Sequence, residues 1–102
     1  MRTLNVGTQE TVEGLITDLR KNDLTLVQDI VELAFTDDEV TDGRTIPEVD
    51  WSIRDTVETI GRYSLIAGKS HDSTEVGFFK LWARWSLNNE NVLLLVGRFR
   101  VV

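Results

Sequence analysis

Residues 75–102, EVGFFKLWARWSLNNENVLLLVGRFRVV, constrain the fold of this chain more than any other stretch. They hold two of the three Trp, three of the four Phe and the longest apolar run. Phe79, Leu81, Ala83, Trp85 and Leu87 alternate with Phe78, Lys80, Trp82, Arg84 and Ser86, a period of two that suits a half-buried strand. Leu93, Leu95, Gly97, Phe99 and Val101 alternate in the same way with Leu94, Val96, Arg98 and Arg100. Between the runs, Asn88-Asn89-Glu90-Asn91 supplies residues that tolerate φ > 0 and suit a tight reversal. A helical reading competes. Asp72-Ser73-Thr74-Glu75 forms a capping box, and Phe78, Leu81, Trp82 and Trp85 fall on one stripe. The aromatic content and the turn favour a C-terminal antiparallel β-hairpin.

Upstream, the apolar spacing reads as helical. Thr8 is a plausible N-cap, and Val12, Leu15, Ile16 and Leu19 follow the i, i+3, i+4, i+7 pattern. Arg20-Lys21 would close that helix, with Asn22 as its stop. Thr25 and Gln28 match a second capping box, with Asp23 as a rival cap. Leu26, Val27, Ile30, Val31, Ala34 and Phe35 make a broad stripe, and the short link implies an antiparallel helical hairpin. Residues 36–50, TDDEVTDGRTIPEVD, show no stripe, hold the sole proline and read as a loop, with a short edge strand at 45–49. A third helix follows over 52–67, with Ile53, Val57, Ile60, Ser64 and Ala67 on one face and Gly68 at its end. Leu4 and Val6 suggest a short N-terminal edge strand. The expected fold is therefore α+β, with residues 1–102 as a single domain: a helical hairpin, a third helix and a C-terminal β-hairpin.

Composition narrows the setting. The chain has 102 residues and no cysteine, which removes disulfides and thiol chemistry and points to a reducing, cytoplasmic environment. No apolar leader follows Met1-Arg2, so no signal peptide is expected, and no run is long enough to span a membrane as a helix. The net charge of −6 is unevenly spread. Residues 1–60 carry 14 acidic and 5 basic side chains, a balance of −9; residues 61–102 carry 3 and 6, a balance of +3. An acidic chain repels nucleic acid at long range, although a local basic patch can still engage it.

Three motifs invite chemistry and fail on spacing. With Gly43 at position 6 of a calcium loop, Asp38 and Asp42 fall first and fifth, but Val40 falls third and Val49 twelfth, where oxygen ligands are needed. Ala67-Gly68-Lys69-Ser70 resembles the end of a phosphate-binding loop, yet Tyr63 stands where the first glycine belongs. Ser70-His71-Asp72 contains the letters of a hydrolytic triad, but adjacent residues do not form a relay, and a loop histidine is the simpler account. With one histidine and no cysteine, the chain has no zinc-like ligand set. No metal, no cofactor and no catalytic residue is expected.

The remaining constellation is aromatic and basic. In a hairpin, Phe79, Leu81, Ala83, Trp85, Leu93, Leu95 and Phe99 face inward. The outer face then presents Phe78, Lys80, Trp82, Arg84, Leu94, Val96, Arg98 and Arg100, an apolar centre with a cationic margin. Arg and Trp on an exposed apolar patch have the composition of a protein interface. Stacking residues with cations equally suit single-stranded nucleic acid. The competing account is that the chain's own N-terminal strand or loop covers this face. The function expected is a non-enzymatic protein-interaction or regulatory module, homodimeric in one form. The alternative is a winged-helix-like nucleic-acid binder with its recognition helix over 52–67, although Asp55 and Glu58 on that helix oppose phosphate. A third reading, a mimic of nucleic-acid charge built on the acidic N-terminal part, rests on charge alone.

Overall fold

The computed structural model describes residues 1–18 and 23–102. Eight strands follow in order: β1 (Arg2–Leu4), β2 (Gln9–Thr17), β3 (Glu32–Asp37), β4 (Ser52–Ile53), β5 (Thr56–Thr59), β6 (Ser64–Asp72), β7 (Gly77–Leu87) and β8 (Glu90–Val101). Two short 3₁₀ turns, Gly43–Thr45 and Glu48–Asp50, lie between β3 and β4. The strands form a five-stranded sheet, β1-β8-β7-β3-β4, and a three-stranded sheet, β2-β6-β5. All pairs are antiparallel except β1 with β8. The main core lies between the sheets, where Val12, Ile16, Leu65 and Ala67 meet Leu33, Leu81, Ala83, Trp85 and Phe99. This is a β-sandwich.

The α+β expectation is overturned, because the three expected helices are strands and turns. In β2 the buried residues are Val12, Gly14 and Ile16, a period of two, while Leu15 is 59% exposed. The helical stripe arose because two apolar residues, Leu15 and Ile16, are adjacent and only one of them is core. β-Branched Thr11, Val12, Ile16 and Thr17 favour the strand, which pairs with β6 along its whole length. The expected end of that helix, Arg20-Lys21-Asn22, and its last stripe residue, Leu19, lie outside the described residues.

The second expected helix survives as little more than one turn. Leu24, Val27 and Val31 are fully buried at helical spacing, and Val31 N–H donates to Val27 O at 3.0 Å. Asp23 caps that turn by accepting from Thr25 N–H at 3.0 Å, so the rival cap is the real one. The chain then extends into β3. The third expected helix is β4, β5 and the start of β6. Ile53 and Ile60 of its supposed apolar face are each 50% exposed. Gly61, at φ +86°, supplies a left-handed turn between β5 and β6 that a helix interior cannot hold. The winged-helix alternative loses its recognition helix with it. Residues 45–49 flank Pro47 as turn rather than strand, and the short edge strand is β4 instead.

β7 and β8 form the C-terminal hairpin. Asn88 and Asn89, at φ 52° and 64°, make its two-residue turn, the conformation whose twist matches the flanking strands. The register is Phe78↔Arg100, Lys80↔Arg98 and Leu81↔Gly97, then shifts to Trp82↔Leu95, so Val96 is the extra residue of a β-bulge. One extra residue reverses which side chains face inward. Leu94 and Val96 therefore pack on the main core, whereas Leu93 and Leu95 turn outward. The single alternation read along β8 holds only beyond the bulge.

Candidate functional site

The outer face of the five-stranded sheet carries the aromatic and basic residues, and it is divided. Over the β3–β7 half lies the connection from Asp38 to Trp51. Lys80 is only 6% exposed, and its ammonium donates to the carbonyl oxygens of Asp38 and Val40, both at 2.9 Å. Trp82, also 6% exposed, donates from Nε1 to Thr36 Oγ1 at 2.9 Å. With Ala34, Ile46 and Trp51 it forms a second small core under the connection. Gly43 permits this contact, because a Cβ there would lie 2.8 Å from Trp82 Cε3 and 3.0 Å from Leu93.

Arg84 fastens the far end. Its Nε donates to Glu32 Oε1 at 3.1 Å, and its two terminal nitrogens reach Glu48 at 2.9 and 2.7 Å, a bidentate pair. The guanidinium also lies 4.4 Å from the Trp51 ring centroid. Its pKa is raised well above the usual arginine value, first by the hydrogen bond to Glu48, and Glu48 is held below the ordinary carboxylate range by Arg84. Glu48 is 80% exposed, so water screens this pair and its geometry overstates its strength.

A cleft of about 670 Å³ opens beside Arg84, lined among others by Ile30, Trp51, Ser86, Asn91 and Leu93. Its two carboxylates, Glu32 and Glu48, are already committed to Arg84. Ser86 Oγ and Asn91 Oδ1 pair at 2.8 Å. Trp85 borders the cleft, and its indole N–H is buried without an acceptor and without access to solvent. The cleft offers shape but few free polar groups.

The β8 half of the face is bare. Phe78 is 52% exposed and Leu95 40% exposed. Arg98 and Arg100 are exposed, and neither has a carboxylate partner among the described residues. By contrast Arg2, Arg44, Arg54, Arg62 and Arg84 each pair with a carboxylate. Arg100 stands opposite Phe78 in the register, with its guanidinium carbon 5.9 Å from the ring centroid. On the other side of Phe78, Asp38 N–H donates to Phe78 O at 2.9 Å.

The eight residues expected on one face are thus dispersed. Phe78, Arg98 and Arg100 lie on the bare half. Lys80, Trp82 and Arg84 lie under or against the connection, and Leu94 and Val96 pack inward. Leu95, Glu48 and Trp51 were not foreseen there. Only the bulge places Leu95 outward, and Glu48 and Trp51 come from a stretch with no periodicity to reveal them.

The chain matches no protein-family model, no curated protein and no solved structure. Its site is read from geometry. Ser70-His71-Asp72 lie in β6, not in a loop, with the His71 ring 4.0 Å from that of Phe35. Ala67-Gly68-Lys69-Ser70 is likewise extended strand, with the Ser70 N–H donating to Asp55 Oδ2 at 2.6 Å, so its amides do not converge into an anion cradle. No group of three His, Cys, Asp or Glu among the described residues is placed to hold a metal. No helix of the described residues is long and apolar enough to cross a membrane.

Proposed function

We propose that this chain is a small non-enzymatic interaction module that docks a protein partner on the bare half of the outer face. One observation carries the reading: Arg98 and Arg100 are left without carboxylates in a chain of net charge −6, beside exposed Phe78 and Leu95. An acidic chain has carboxylates to spare, and its other described arginines have found them. Two unpaired guanidiniums around an aromatic and a leucine have the make-up of an interface anchor, complementary to a surface that brings carboxylates and an apolar contact. The cysteine-free sequence fits a reducing compartment, and we place the module in the cytoplasm on that ground.

The test is a titration of ¹⁵N-labelled protein with a Glu-rich peptide carrying Leu and Phe, and separately with a thymidine oligonucleotide. The peptide is expected to shift the amide signals of Phe78, Leu95, Arg98 and Arg100, and Arg98→Ala with Arg100→Ala to abolish the effect. Peptide binding confined to other surfaces refutes the reading. Tight, salt-sensitive binding of the oligonucleotide in place of the peptide replaces it with nucleic-acid recognition.

A further inference from the structure

Across β7 the outer face runs from acid to aromatic to base. Asp38 is fixed beside Phe78 by its backbone hydrogen bond, and Arg100 faces Phe78 from β8. Asp38 has a half-exposed carboxylate whose nearest cation, Lys80, is 3.9 Å away and already donates to two carbonyls. Glu39 is exposed next to it. Neither end of the row is neutralised within the chain to the degree that its other surface pairs are.

Such a row is self-complementary. A two-fold axis parallel to β7 and passing over Phe78 turns a second copy face to face with the first. It places the second copy's Asp38 and Glu39 over Arg100 of the first, and the reverse contact follows by symmetry. The two Phe78 rings then meet at the axis, and each is covered by the other. Symmetric pairing of one patch with itself is the commonest form of homodimer.

Resting on the docking reading above, we infer that the partner of this face is a second copy of the chain, joined by Phe78–Phe78 contact and reciprocal Arg100–Asp38/Glu39 pairs. The −6 charge of each copy opposes their approach at long range. At about 0.15 M salt, however, charges more than about 8 Å apart are largely screened, while contact pairs are not. Local complementarity then outweighs net charge.

Sedimentation equilibrium at that ionic strength tests the pairing, with each variant's fold checked by its thermal unfolding. Wild type is expected to dimerise. Arg100→Glu, and separately Asp38→Lys with Glu39→Lys, should each weaken dimerisation about tenfold or more. Combining all three changes in one chain should restore it, because the reversed row is complementary again. A wild type that stays monomeric up to about millimolar concentration, or an Arg100→Glu variant that dimerises undiminished, overturns the inference. The peptide titration would still decide separately whether the face docks a foreign protein.

Discussion

The two halves of the outer face are built from the same kinds of residue and put to different uses. On the covered half, Lys80, Trp82 and Arg84 each have a specific polar partner, and each helps to hold the connection down. On the bare half, Phe78, Arg98 and Arg100 have none beyond the loose cation–π contact. The covering connection makes the difference. A cation whose hydrogen bonds are all satisfied within the chain is a structural fastener, and the same cation left in water is free to recognise a partner. Composition and alternation along one strand do not distinguish these fates.

The largest expected effect breaks the covered half alone. Lys80→Met keeps the aliphatic stem but removes the ammonium, leaving the Asp38 and Val40 carbonyls without their donor. A loss of about 2–3 kcal/mol is expected in urea unfolding, in the range for lost hydrogen bonds to a charged group. Its neighbour in the register, Arg98, should behave oppositely: Arg98→Met should stay within about 0.5 kcal/mol of wild type. Equal effects at the two positions would erase the distinction between the halves.

Acid should act on the covered half by a smaller amount. Arg84 depresses the pKa of Glu48, so that carboxylate contributes stability above its ordinary value of 4.5 and loses the contribution as pH falls through the folded value. Asp42, depressed chiefly by its hydrogen bonds to Arg44, acts in the same direction. His71 responds at higher pH. Burial first, then Lys69, depress its pKa below 6.5, so its neutral form favours the fold. Between its folded value and 6.5 the unfolded chain binds more protons, and stability falls as pH drops through that window. Unfolding free energy measured against pH should therefore fall in two stages. His71→Gln should remove the upper stage and Glu48→Gln should reduce the lower one. A flat profile between pH 7 and 3 would contradict both assignments.

What the residues reveal before folding follows the range of the interactions. The β7–β8 turn is legible because Asn88 and Asn89 state it locally, and the alternation of β7 is uninterrupted. The inward and outward phase of β8 is not, because the bulge at Val96 is set by packing across the sheets and leaves no turn residue as a sign. The N-terminal half misleads for a different reason. Val12 and Ile16, four apart, satisfy a helical spacing as well as a strand spacing, Leu15 fits only the helical one, and only burial against the opposite sheet decides which apolar residues are core. The connection reads correctly as loop, but its role as a cover depends on partners far apart in sequence. Lys80 meets Asp38, and Arg84 meets Glu32 and Glu48, only once β3 and β7 are in register. Which arginines remain unpaired is a property of the finished fold.

Arginine footprinting with phenylglyoxal, read by mass spectrometry on the monomeric protein at low concentration, tests the division of the face most directly. It reports both halves in one experiment. Arg98 and Arg100 should be modified at the rate of arginine in an unstructured peptide, while Arg84, held by Glu32, Glu48 and the Trp51 ring, should lag well behind them. Modification of Arg84 as fast as Arg98 and Arg100, or protection of all three in the monomer, would contradict a face that is half fastened and half free.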